Sequence, residues 1–98
     1  MKAKLLLDTK TVLADGRVMH RRIWQLPATT PDRPHGLKYR LYCGKAGVTI
    51  VRYDNESGKG DHKHIGPDER EVTYRFESLA KLLADFAEDI VALSGEIE

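Results

Sequence analysis

Through most of the first 76 positions, hydrophobic and polar residues alternate with a period of two. From Lys4 to Leu13 this puts Leu5, Leu7, Thr9, Thr11 and Leu13 on one side and Leu6, Asp8, Lys10 and Val12 on the other, predicting a first strand. Asp15-Gly16 supplies the left-handed positions of a tight turn. Val18 to Leu26 returns as a second strand, with Val18, His20, Arg22, Trp24 and Leu26 against Met19, Arg21, Ile23 and Gln25. Neither of its faces is purely apolar, so one side of the sheet is expected to carry basic groups into solvent or into a site. Pro27, Pro31, Pro34 and Gly36 then punctuate a loop that is long for a hairpin connection. Lys38 to Cys43 resumes as a third strand, with Tyr39, Leu41 and Cys43 on its apolar side and Lys38, Arg40 and Tyr42 opposite. After the turn Gly44-Lys45-Ala46-Gly47, Val48 to Asp54 forms a fourth strand, and Val72 to Phe76 a fifth.

The period changes after Ser78, a plausible N-cap. Leu79, Leu82, Leu83, Phe86, Ile90, Val91 and Leu93 recur at helical spacing, with Lys81, Asp85, Glu88 and Asp89 opposite, and Gly95 stands where a C-terminal glycine belongs. One amphipathic helix laid across an antiparallel sheet of about five strands is a two-layer α+β fold. A chain of 98 residues is expected to form it as a single domain spanning residues 1–98.

Composition narrows the functional classes. The hydrophobic share of 41% beside 32% charged residues is that of a globular protein rather than a disordered one. No apolar run approaches the ~20 residues that span a bilayer. The apolar stretch Leu5-Leu6-Leu7 is too short for an export signal. Cys43 is the only cysteine, which excludes an internal disulfide and a cysteine-based zinc cage and points to a reducing, cytoplasmic compartment. Cys43 falls on an apolar face and reads as core rather than nucleophile. Residues 1–76 carry 15 Lys and Arg against 9 Asp and Glu, whereas residues 77–98 carry Lys81 alone against six carboxylates. A basic body with an acidic helix leans toward a local polyanion site.

The stretch from Tyr53 to Gly66 is the least explicable as packing. It holds Asp54, Asn55, Glu56, Lys59, Asp61, His62, Lys63 and His64 among Gly58, Gly60 and Gly66. Three readings compete. In the first, RNA is cleaved without a metal: His62 and His64 transfer protons, Lys59 and Lys63 hold phosphate charge, and Asp61 orients an imidazole. Arg40 and Arg52, on neighbouring strands, add phosphate contacts. Tyr53, Asp54, Asn55 and Glu56, where the strand opens into the loop, complete the substrate-binding set. The first reading needs no cofactor; in the second, a divalent metal sits on His62 and His64 with Asp54, Glu56 or Asp61, because alternate residues of an extended segment point the same way. In the third, the aspartates and glycines build turns and the histidines are satisfied surface groups. His20 and His35, each isolated, take a structural reading.

Tyr53-Asp54-Asn55-Glu56 followed by Gly58-Lys59-Gly60-Asp61-His62-Lys63-His64-Ile65-Gly66, between a Lys38-Tyr39-Arg40-Leu41 strand and a Tyr74-Arg75-Phe76 strand with a Leu83-Ala84-Asp85-Phe86 helix, resembles the TumE family of toxin components of prokaryotic toxin–antitoxin pairs. The likeness covers nearly the whole chain, including Ile23-Trp24 and the proline-rich loop. Lys63 stands where arginine is expected, which keeps the charge and loses the fork geometry. The resemblance implies a cognate antitoxin, with a DNA-binding domain, that silences this protein. It carries no mechanism, so the roles above remain expectations from chemistry. The combined expectation is a toxin acting on RNA through the Gly58–His64 segment. The alternatives are a noncatalytic interaction or nucleic-acid-binding protein and a metal-binding His-x-His hydrolase. No membrane partner is expected. Ile97, with little left to cover it, suggests dimerisation or antitoxin docking at that end.

Overall fold

The computed structural model describes residues 2–56 and 59–94, so the expectations resting on Gly58, Gly95 and Ile97 lie outside it. Six strands follow one another: β1 (Lys4–Val12), β2 (Arg17–Gln25), β3 (Leu37–Lys45), β4 (Val48–Asp54), β5 (His62–Ile65) and β6 (Arg70–Thr73). Each pairs antiparallel with its sequence neighbours in a single sheet, and the helix α1 (Leu79–Ser94) packs against β4. This is the expected two-layer α+β fold with one strand more than the alternation foretold. The extra strand is β5, which occupies part of the stretch read as a loop. It is four residues long, and its His-Lys-His-Ile sequence shows no apolar side. Two flanking ladders hold it in place.

Local chemistry explains the remaining boundaries. Ala46 and Gly47 both take positive φ, 53° and 78°, so β3 and β4 join through a two-residue turn that matches strand twist, shorter than the four residues expected. A register shift between Leu5 and Leu7 puts Leu5 opposite Trp24 and Leu7 opposite Ile23, which breaks the single leucine face expected for β1. β6 ends at Thr73, earlier than the strand expected to reach Phe76. Phe76 instead packs its ring on that of His35, 4.1 Å between centroids. Ser78 Oγ accepts from the Lys81 backbone N–H at 3.1 Å, so the expected cap is formed.

The core lies between α1 and the middle of the sheet. Leu82, Phe86 and Ile90 of the helix meet Tyr39, Leu41 and Cys43 of β3 and Val51 and Tyr53 of β4. Cys43 is buried as expected. Val91, expected in the helix's apolar face, is 75% exposed and points outward. Lys63 shares the helix side, because it pairs with Tyr53 across the β4–β5 ladder, and reaches Asp89 of α1 at 3.0 Å.

No residues of α1 cover the opposite face of the sheet. Cross-strand register there lines up Asp8, Arg22, Arg40, Asp54, His62 and Thr73 in one row. Lys10, His20, Tyr42, Arg52, His64 and Glu71 form the row beside it. The basic sheet face that the mixed pattern of β2 foretold is therefore present, and the histidine pair stands at one end of it.

Candidate functional site

Strand pairing builds the site. Asp54, the last residue of β4, lies opposite His62, the first of β5, while Arg52 lies opposite His64 and His64 opposite Glu71 of β6. Alternate residues of a strand share a face, so both imidazoles project from the open side. Their ring centroids are 5.0 Å apart and the rings stand edge to face. Asp54 Oδ1 and a ring nitrogen of each histidine lie within 4.8 Å of one another. The Asp54 and His62 side chains are each 7% exposed, and His62 Nε2 lies 2.5 Å from Asp54 Oδ1.

Two sets of contacts orient these groups. Arg52 donates from Nε to Asp54 Oδ2 at 2.9 Å and from Nη1 to Glu69 Oε1 at 2.7 Å, which turns Oδ1 of Asp54 toward the histidines. Each ring points its Nδ1 at a backbone carbonyl, His62 at Gly60 O (3.0 Å) and His64 at Glu69 O (3.2 Å). A carbonyl only accepts, so Nδ1 carries the proton and Nε2 is the atom offered to the site. Beside His62 opens a cleft of about 430 Å³ lined by Lys59, Gly60, Asp61, Glu71, Thr73 and Tyr74.

The expected site residues separate into two groups. His62, His64 and Asp54 converge, and Lys59 stands at the mouth of the adjoining cleft, in reach of exposed Glu56 at 4.0 Å. Arg40 is exposed on the same face, opposite Asp54 across the β3–β4 ladder, and has no ion pair among the described residues. Arg52 is on this face too, but its guanidinium is engaged by two carboxylates, so it orients Asp54 instead of standing ready for phosphate.

The others lie elsewhere. Lys63 is turned to the helix, between Asp89 and the Tyr53 ring, and cannot share a phosphate with His62. Tyr53 is fully buried with its hydroxyl on Asp89; burial, then that carboxylate, pushes its phenol well above the ordinary range and keeps it a donor. Asn55 is also fully buried, and its side chain accepts from Tyr39 N and donates to Leu37 O. Neither reaches a substrate.

Asp61 turns away from both motif histidines. It accepts from Tyr39 Oη at 2.6 Å and pairs with His35 Nε2 at 3.0 Å, whose Nδ1 accepts from Leu37 N. Burial, then Asp61, holds the Tyr39 phenol protonated far above neutrality. Asp54 thus stands where Asp61 was expected, and the reason is parity: Asp61 is one residue before His62 and faces the other way. Sequence reasoning also missed Glu71, whose Oε1 lies 3.7 Å from His62 Nε2 and 3.8 Å from His64 Nε2. Its alternation with Val72 was readable, but its register against β5 was not.

Farther along the open face the Trp24 ring has the Arg22 guanidinium 4.8 Å and the Lys38 ammonium 5.3 Å from its centroid. An aromatic ring flanked by two cations therefore stands on the same face as the paired histidines. A family model described as toxin TumE matches residues 2–94. The chain belongs to the TumE family, and it is accordingly a toxin component of a toxin–antitoxin system, with an antitoxin as its partner. No curated protein and no solved structure gives a significant match. No helix among the described residues is long and apolar enough to cross a membrane.

Proposed function

We propose that this toxin acts on RNA, drawing the strand along the open sheet face and cleaving it at the Asp54–His62–His64 cluster. The observation that carries this reading is the cross-strand alignment of Arg22 and Arg40 with Asp54 and His62 in one row. Phosphates are held by Arg40, Arg22 and Lys38, a base stacks on Trp24, and Lys59 meets the phosphate that enters the cleft beside His62. Cleavage of RNA by its own 2′-hydroxyl forms the bond from that oxygen to phosphorus and breaks the bond to the 5′-oxygen. The 2′-proton must leave and the 5′-oxygen must gain one. One imidazole of the cluster takes the 2′-proton on Nε2, the imidazolium so formed returns it to the 5′-oxygen, and the surrounding cations stabilise charge on the phosphate.

The test is direct. Purified protein incubated with total RNA is expected to fragment it, and a His62→Ala/His64→Ala variant to leave it intact. Arg40→Glu is expected to weaken binding to a single-stranded RNA oligonucleotide about tenfold at moderate salt and to flatten its salt dependence. RNA identical to the no-protein control would remove the nuclease reading. Growth arrest that survives both histidine substitutions would favour a noncatalytic toxin that uses the same face only to bind.

A further inference from the structure

We infer that Asp54, His62 and His64 form a binding site for one divalent transition-metal ion, zinc or manganese, with Glu71 as a fourth ligand drawn in on binding. The site shares its side chains with the proposed cleavage centre, but it follows from their geometry and owes nothing to RNA.

Both Nδ1 atoms are committed to backbone carbonyls, Gly60 O and Glu69 O, so the nitrogen each ring turns to the cluster is Nε2, which in the neutral ring bears the lone pair. Those lone pairs share a small space with two carboxylates, Asp54 Oδ1 at 2.5 Å from His62 Nε2 and Glu71 Oε1 at 3.7 and 3.8 Å from the two rings. Four acceptors therefore face one another. Asp54 Oδ1 is buried and has no hydrogen-bond donor, because the His62 contact, although close, lacks hydrogen-bond alignment. A buried carboxylate oxygen without a donor is costly. A proton on one Nε2 relieves one pair and leaves the other ring and Glu71 as they were. One dication relieves all four.

The surrounding contacts have the form that metal ligands require. A ligating histidine fixes its tautomer by giving its other N–H to a carbonyl or carboxylate, and ligating carboxylates are themselves hydrogen-bonded. Here both rings do the first, and the Arg52 bond to Asp54 Oδ2 does the second. Two imidazoles with carboxylate oxygens suit zinc or manganese. Tetrahedral zinc, at ~2.0–2.2 Å from each ligand, separates ligand atoms by about 3.3–3.5 Å. Binding would therefore open the Asp54–His62 contact and draw His64 and Glu71 inward. With the ion in place, both Nε2 atoms are occupied. Were Glu71 to leave the ion, a water in its place would be acidified, and the hydroxide so formed would accept the 2′-proton in the cleavage proposed above.

Metal binding is measured without RNA. The purified full chain, stripped with EDTA and then freed of chelator, is titrated calorimetrically with Zn(II) and with Mn(II), and with Co(II) to read ligand-field absorption. The expected result is one equivalent per chain, a rise in melting temperature with zinc, and the visible bands of a four-coordinate Co(II) site. His64→Ala, at the less buried of the two histidines (14% exposed against 7% for His62), is expected to lose at least tenfold in affinity and the Co(II) bands. His20→Ala, whose ring pairs with Asp8, is expected to change neither. Failure to bind any of the three ions, or binding that His64→Ala leaves intact, would overturn the inference. Metal-loaded protein that binds as expected yet leaves RNA whole would overturn the RNA reading alone.

Discussion

Replacing Asn55 with alanine is expected to lower the melting temperature by roughly 10 °C or more while leaving the far-ultraviolet circular dichroism of the folded protein unchanged. The estimate follows from hydrogen-bond accounting. Asn55 is fully buried; its Oδ1 accepts from Tyr39 N at 3.0 Å and its Nδ2 donates to Leu37 O at 2.8 Å. Alanine leaves a backbone donor and a backbone acceptor without partners, at about 1–3 kcal/mol each. In a domain of this size each 1 kcal/mol shifts the melting point by about 4–8 °C. Asn55→Asp separates hydrogen bonding from volume: it keeps the acceptor for Tyr39 N but sets a carboxylate oxygen against Leu37 O. It is expected to destabilise at least as much as alanine. The Asn55 backbone carbonyl also takes two bonds from the Arg33 guanidinium, at 2.9 and 3.1 Å. The proline-rich loop is thereby tied to the residue that follows Asp54. A melting temperature for Asn55→Ala within 3 °C of the wild type, by differential scanning calorimetry, would show that water enters and satisfies both groups.

This latch explains a part of the molecule that alternation could not show. The pattern of apolar residues is local, so it displays elements whose two faces differ in polarity. β3, β4 and α1 bury an apolar side and expose a polar one, and their boundaries fall within a few residues of where the pattern places them. β5 has a polar cluster on one face and an ammonium paired with Asp89 on the other, so its alternation is between two kinds of polar group. Such a strand is invisible until its neighbours are known. The long proline loop posed the same difficulty. His35, which in isolation reads as structural, is indeed so used, but its partners Asp61 and Phe76 lie 26 and 41 positions away and only the fold brings them together.

The same reasoning divides the motif itself. The density of His, Asp and Lys between Tyr53 and Gly66 marked the region, and the pairing of His62 with His64 was legible because residues two apart share a face of an extended chain. The acid that joins them was not legible. Asp61 is adjacent in sequence and faces away, whereas Asp54 is eight positions distant and directly opposite. Contact across an antiparallel ladder is set by register, which the local alternation of residues does not display.

The consequence is a reversal in which charged residues matter for activity. Asp54→Asn is expected to abolish growth arrest on induction without antitoxin and to lower RNA cleavage by roughly 10²–10⁴-fold, the range for loss of a group that positions proton transfer. It is expected to do so in a well-folded protein, because the amide oxygen still accepts from Arg52 Nε and the side chain keeps its volume. What is lost is the negative charge. Lys63→Met is expected to behave in the opposite way. The ammonium lies 3.0 Å from Asp89 Oδ2, both side chains about a quarter exposed (22% and 25%), and 5.4 Å from the centre of the Tyr53 ring. Methionine keeps the apolar stem on that ring, and Asp89 retains the Tyr53 hydroxyl. Removing the ion pair is expected to cost about 1 kcal/mol. Cleavage per folded molecule should remain within about threefold of wild type, since the residue stands on the far side of the sheet from His62. Thermal melts and cleavage assays on both variants, run side by side, decide the matter. Full activity in Asp54→Asn would remove the cluster from the reaction. A stable Lys63→Met protein that no longer cuts RNA would move phosphate binding to the helix side of the sheet.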